Sequence, residues 1–179
     1  VARHAAIPVL ALGPKVLPRR PSPDFGHGCL AVALDLKADG ADAKTLDFAG
    51  KLSMCAGGVP LLLVHSLRHG MHPVLKNARS TRKGRQQLLE WEAEMAIAAE
   101  AALAKKVEDL SKASVPTSGW VLDRESESAA RAIVQAVTKE KASLVIAGNH
   151  GRGWIGKAFM GSVSRELIVQ SETPVITVR

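Results

Sequence analysis

From residue 29 to its end the sequence predicts an α/β domain, a parallel sheet with helices on both faces. Strand-like and helix-like stretches alternate along this part of the chain, which is the pattern of such sheets. The strand-like stretches are continuous apolar runs, as expected of strands covered on both sides. The 179 residues, 46% hydrophobic and 23% charged, are enough for one ordinary core and exclude a disordered chain.

The elements follow in order. "CLAVAL" (29–34) reads as the first strand, with Asp35 at its carboxyl end. A helix follows, with Thr45, Phe48, Ala49, Leu52 and Cys55 on one face, and Gly57 and Gly58 end it. "LLLVHS" (61–66) is the second strand. Residues 68–85 carry six Lys or Arg and no acid, and Gly70, Pro73 and Gly84 argue for a basic loop. A long helix spans about 86–112, with Leu88, Trp91, Met95, Ala99, Leu103, Val107 and Leu110 along one side. Residues 120–122 form a short third strand. Ser126 is the expected cap of a helix in which Ala130, Ile133, Val134 and Val137 share a face. "SLVIAG" (143–148) is the fourth strand, "SVSRELIVQS" the last helix, and "PVITVR" (174–179) the final strand.

Residues 1–28 stand apart, with five prolines and a single acid. They read as an extension or tether outside the core, with an organellar targeting role left open. Otherwise a cytoplasmic location is expected, and no apolar run approaches the roughly 20 residues of a membrane span. The net charge of +7 invites a nucleic-acid reading, but 3% aromatics and no tyrosine leave few stacking platforms. Cys29 and Cys55 form no C-x-x-C pair and are expected to be small buried apolar residues. His65, His69, His72 and His150 lack a paired-ligand spacing, so no metal site is expected.

Ligands in doubly wound sheets bind at the carboxyl ends of strands, where strand order reverses. That directs attention to Asp35, to Ser66 and to the loop after Ala147. The loop, "AGNHGRGWIGKAFMGS" (147–162), fits two patterns. Gly151, Gly153 and Gly156 spell G-x-G-x-x-G. However, they follow the fourth strand rather than the first, and no acid ends a later strand to grip a ribose. Lys157 follows Gly156, but Ala158 replaces the hydroxyl a P-loop needs. The longer spacing, Gly148, Gly151 and Gly161-Ser162, spells G-x2-G-x9-G-S. Gly148 would let a sugar approach the strand end, and Gly151 permits the turn. Gly161 would clear space for phosphate at the start of the last helix, and Ser162 would add a hydroxyl. A helix start favours an anion.

With this spacing after the fourth strand, then a helix and a terminal P-V-x-x-V strand, the chain resembles the universal stress protein family. The resemblance covers about residues 29–179 and is strongest over the last 40. It implies a three-layer, doubly wound sheet of five parallel strands in the order 3-2-1-4-5, like that of the adenine nucleotide alpha hydrolases. It also implies ATP, or AMP or ADP, with or without Mg²⁺. Asp35 would lie near the adenosine end, and Ser66 would take the adenine-side position that is usually aliphatic. Ala147, Gly148 and Gly151 would line the ribose and phosphates, with Arg152 beside them. Gly161, Ser162 and Val163 would hold phosphate, partly through backbone N–H groups.

The family's terminal strand pairs with its twin, so the resemblance implies a homodimer through residues 174–179. The expected role is nucleotide binding in stress response or signalling, without strong catalysis. Two alternatives stay open at this level. One is a slow Mg²⁺-dependent ATP hydrolase or nucleotidyl enzyme using the basic loop as a lid, with His150 and Arg152 as candidates. The other is a nucleic-acid module built on residues 68–85. Asp35 also has an alternative role, as the cap of the helix beginning near Ala41.

Overall fold

A computed structural model describes residues 7–16, 28–36, 40, 42–67, 81–122, 128–148 and 161–179. Among these, six strands form one sheet and four helices cover it. The strands are β1 (Val9–Ala11), β2 (Leu30–Leu34), β3 (Leu61–Ser66), β4 (Thr117–Leu122), β5 (Leu144–Gly148) and β6 (Val175–Val178). The helices are α1 (Ala43–Cys55), α2 (Arg82–Lys112), α3 (Ala129–Lys139) and α4 (Ser162–Gln170).

The sheet order is β1-β6-β5-β2-β3-β4. From β6 to β4 every pairing is parallel, in the order that the family resemblance implied, but β1 makes six strands rather than the five expected. The side chains sort by strand period. Leu30, Val32 and Leu34 of β2 join Leu61, Leu63, Leu144 and Ile146 in a core under α1 and α2. Ala31, Leu62, Val64, Val145 and Val175 face the opposite way, against Ala130, Ile133 and Val137 of α3 and Leu167 of α4. Both faces are therefore dry, which explains why the central strands read as unbroken apolar runs.

The sixth strand corrects two expectations. Val9, Leu10 and Ala11 pair antiparallel with Thr177, Ile176 and Val175. Val9–Ala11 thus belong to the sheet rather than to a tether, and Val16 beyond β1 is only 2% exposed. β6 is consequently not a sheet edge, and the side through which a twin would pair is already taken. The physical reason is general: an apolar edge with unpaired N–H and C=O groups is covered when a strand of the same chain can reach it.

Several boundaries also move. α2 begins at Arg82, so the basic loop is shorter than expected and its remaining residues, 68–80, lie outside the described set. Gly84 does not break the chain there. It sits in the first turn of α2, where its N–H donates to the Thr81 hydroxyl at 3.0 Å. Thr81→Ala is expected to cost about 1 kcal/mol in a urea unfolding measurement, the usual worth of such a cap. β4 starts three residues early, at Thr117. Gly119 brings that strand close under α2, since a Cβ there would press on Leu103 and Val107. The cap of α3 is Ser128 rather than Ser126, and its hydroxyl accepts from the Arg131 N–H.

The two cysteines differ. Cys29 is partly buried, whereas Cys55, expected to be buried, is exposed at the end of α1. Burial, and secondarily the nearby Glu140 charge, push the Cys29 thiol above its ordinary pKa. Alkylation at pH 8 should therefore modify Cys55 well before Cys29, a difference that peptide mass mapping over time would read.

Candidate functional site at the carboxyl edge of the sheet

β2 lies between β3 and β5, and strand order reverses at the β2–β5 boundary. The chain leaves β2 through α1 to reach β3, then returns through α3 to β5 on the other side. Helices diverge at such a point and leave a crevice at the strand ends. The register pairs Leu34 with His65 and Ala33 with Ala147. It brings Asp35, Ser66 and Gly148 to the same edge of the sheet.

The end of β2 is held by a carboxylate that the sequence reading overlooked. Asp42 is only 4% exposed. Its Oδ1 accepts the Asp35 N–H at 3.1 Å and its Oδ2 accepts the Leu36 N–H at 2.9 Å. Leu36 has φ of +54°, a left-handed conformation that is uncommon for a bulky residue. The Asp42 bonds fix the backbone through that turn, just where Asp35 emerges. Asp42 precedes α1 but makes no side-chain cap to it; it reaches back to the strand instead. The N-cap position of α1, the alternative role for Asp35, is held by Asp42.

On the β3 side, the His65 Nδ1–H donates to the Leu34 carbonyl at 2.9 Å, tying the two strand ends together. Ser66 is 8% exposed. Among the described residues its hydroxyl has no hydrogen-bond partner. A buried hydroxyl without a partner costs about 1–3 kcal/mol, which a ligand at that spot would recover.

On the β5 side, Ala147 is buried and Gly148 ends the strand. The Ser164 hydroxyl donates to the Gly148 carbonyl at 2.8 Å. This bond locks the first turn of α4 to the end of β5. Ser164 was missed in the sequence, where its only signal is a hydroxyl two residues past Ser162.

Gly161 is the N-cap of α4, with φ −55° and ψ 146°, and as a glycine it has no side chain with which to cap the helix. Any residue adopts those angles, so backbone conformation does not demand glycine here. What glycine provides is the absence of a side chain in front of the first-turn N–H groups, which carry the positive end of the helix dipole. Ser162 and Val163 form that turn. Asp35, Ser66, Ala147, Gly148, Gly161, Ser162 and Val163 are therefore all found at strand ends or at this helix start. Gly151 and Arg152, with His150, lie outside the described residues.

Among the described residues no group of three or more His, Cys, Asp or Glu comes together to hold a metal. No described helix is long and apolar enough to cross a membrane.

Comparison with known proteins agrees with this architecture. The profile of the universal stress protein family matches residues 31–179. A universal stress protein of Thermus aquaticus is 42% identical over 50 residues, a match spanning 28% of this chain and 36% of that protein. The structure of a universal stress protein from Archaeoglobus fulgidus superposes with a TM-score of 0.62 at 27% identity, covering 86% of this chain and 99% of that one. A universal stress protein from the same organism, solved in complex with dAMP, gives a TM-score of 0.58 at 25% identity, over 86% and 98% of the two chains. The profile match spans most of the sequence and the fold agrees: the chain belongs to the universal stress protein family.

Proposed function

We propose that this chain holds ATP, or a related adenine nucleotide such as ADP or AMP, at the carboxyl edge of its sheet, and acts in stress response or signalling through its bound state. The observation that carries this reading is the position of the start of α4 at the carboxyl edge of the sheet, where Gly161 brings no side chain of its own and Ser164 fastens the first turn to the end of β5. A helix start arranged this way favours phosphate. The dAMP complex of the Archaeoglobus fulgidus relative supports the choice of an adenine nucleotide.

In this reading the phosphates sit on the backbone N–H groups of Gly161, Ser162 and Val163. Gly148 and Ala147 give the ribose room at the end of β5, with Gly151 and Arg152 completing the loop. Asp35 takes the adenosine end, and the Ser66 hydroxyl, which has no partner among the described residues, faces the base. These residues bind and orient; none is assigned a catalytic step.

The reading is tested by denaturing the purified chain and identifying released nucleotides by mass spectrometry. Calorimetric titration with ATP, ADP, AMP and GTP, with and without Mg²⁺, should follow. Saturable binding of one adenine nucleotide per chain, tighter than GTP, is the expected result. Absence of adenine nucleotide binding up to millimolar concentration would remove the proposal.

A further inference from the structure

α2 is far longer than the sheet it covers. Its 31 residues span about 46 Å, whereas the six residues of β4 span about 20 Å. The second half of the helix packs on the protein: Leu103 and Val107 lie against Gly119 of β4, and Leu110 approaches Gly50 of α1. The first half buries only Gly84 and Leu88.

One stripe runs along both halves in alternating steps of four and three residues. It passes through Arg82, Gln86, Leu89, Ala93, Ala96 and Glu100, then continues through Leu103, Val107 and Leu110. Such spacing is that of a seam between packed helices. From Leu103 onward the stripe belongs to the core under α1 and α2. Before Leu103 it is open. Arg82, Gln86, Ala93 and Glu100 are exposed, Leu89 is 60% exposed, and Ile97 beside them is 67% exposed.

Charge is segregated along the open half. Residues 82–85 hold three cations and no acid, whereas residues 86–104 hold four glutamates and no cation. None of those cations therefore stands three or four residues from an acid, the spacing of pairs within a helix. The helix dipole also opposes cations at a helix start. Among the described residues no ion pair engages Arg82 or Glu100.

We propose that the open half of α2 receives the same half of a second copy, antiparallel. Parallel pairing would set cations on cations; antiparallel pairing sets the cationic start of each helix on the acidic stretch of the other. Turned end for end, the stripe matches itself in one register. Arg82 meets Glu100 of the second copy, Gln86 meets Ala96, and Leu89 meets Ala93. Both ends close on opposite charges, and each leucine sits over a small residue. The interface is a single helix face, at the small end of specific interfaces, so dilution dissociates the dimer. It leaves β1 seated on β6 and stands whether or not nucleotide binds.

The test is sedimentation velocity of the full chain without nucleotide. From about 1 to 300 µM the 18.9 kDa monomer should give way to twice that mass. Arg82→Glu and Glu100→Arg each place like charges opposite one another at both ends, and each should weaken the dimer about tenfold. Arg82→Glu/Glu100→Arg restores both pairs in reverse and should return to within about threefold of the parent. With Cys29 and Cys55 changed to Ser, a chain carrying Leu89→Cys should crosslink to one carrying Ala93→Cys more readily than either does to itself.

A parent that stays monomeric over that range overturns the proposal. So does a dimer that neither single reversal weakens, or one that the double reversal fails to restore while its urea midpoint is parental. If a reversal variant does not fold, the crosslink decides: self-links at 89 or 93 as fast as the mixed link contradict the register.

Discussion

Gly161→Asp is expected to weaken ATP binding by about 30- to 1,000-fold, equivalent to roughly 2–4 kcal/mol of charge repulsion at a short distance in a partly screened site. The fold should not suffer. Asp is among the best N-cap residues, and its charge suits a helix start, so α4 should gain up to about 1 kcal/mol of stability. Affinity and stability therefore move in opposite directions. That separates loss of a phosphate seat from simple damage, because a misfolded loop would lower both. Calorimetry with ATP and urea unfolding, run on parent and variant together, provide the two readings. Equal affinity in both proteins would show that the start of α4 does not hold the phosphates.

The second large effect concerns stability. Asp42→Ala removes an acceptor shared by the N–H groups of Asp35 and Leu36. Bonds to a charged group are worth about 1.5–3 kcal/mol, and the abandoned N–H groups carry their own penalty. A loss of about 3 kcal/mol is expected in urea unfolding, with the midpoint moved and its slope unchanged. Asp42→Asn retains one carboxamide oxygen and should recover part of the loss. Because the same bonds steady the turn that carries Asp35, Asp42→Ala should also weaken adenosine and AMP binding. A variant of parental stability would mean that other groups satisfy the end of β2.

The central layers were legible because their signals are long or redundant. Unbroken apolar runs marked β2, β3 and β5, and a period of 3.6 marked α3, whose Ala130, Ile133 and Val137 are buried as expected. Of the glycine spacing, Gly148 is found at the end of β5 and Gly161 at the start of α4, as the sequence reading expected. The elements that escaped are short, or are decided by distant partners. β1 has three residues, flanked by Pro8 and Gly13, too few for any periodicity to register. The early residues of β4, Thr117 to Gly119, have weak strand propensity, and only the close approach of α2 explains the glycine. Ser126 and Ser128 are equally plausible caps in a string of letters. Asp35 and Asp42 are likewise both acids ahead of a helix. Which of the two turns inward depends on packing that brings α1 back against β2, and that is a property of the fold rather than of either residue's neighbours in sequence.

The idea on which the functional account rests is that polyphosphate sits on the backbone amides at the start of α4. An amide-resolved NMR titration of the labelled chain with ATP tests it most directly. The account predicts that the largest shifts fall on Gly161, Ser162 and Val163, with Gly148 close behind, and that adenosine alone moves the Asp35 and Ser66 amides but leaves those three nearly still. Saturation by ATP with the amides of residues 161–163 unmoved would contradict it.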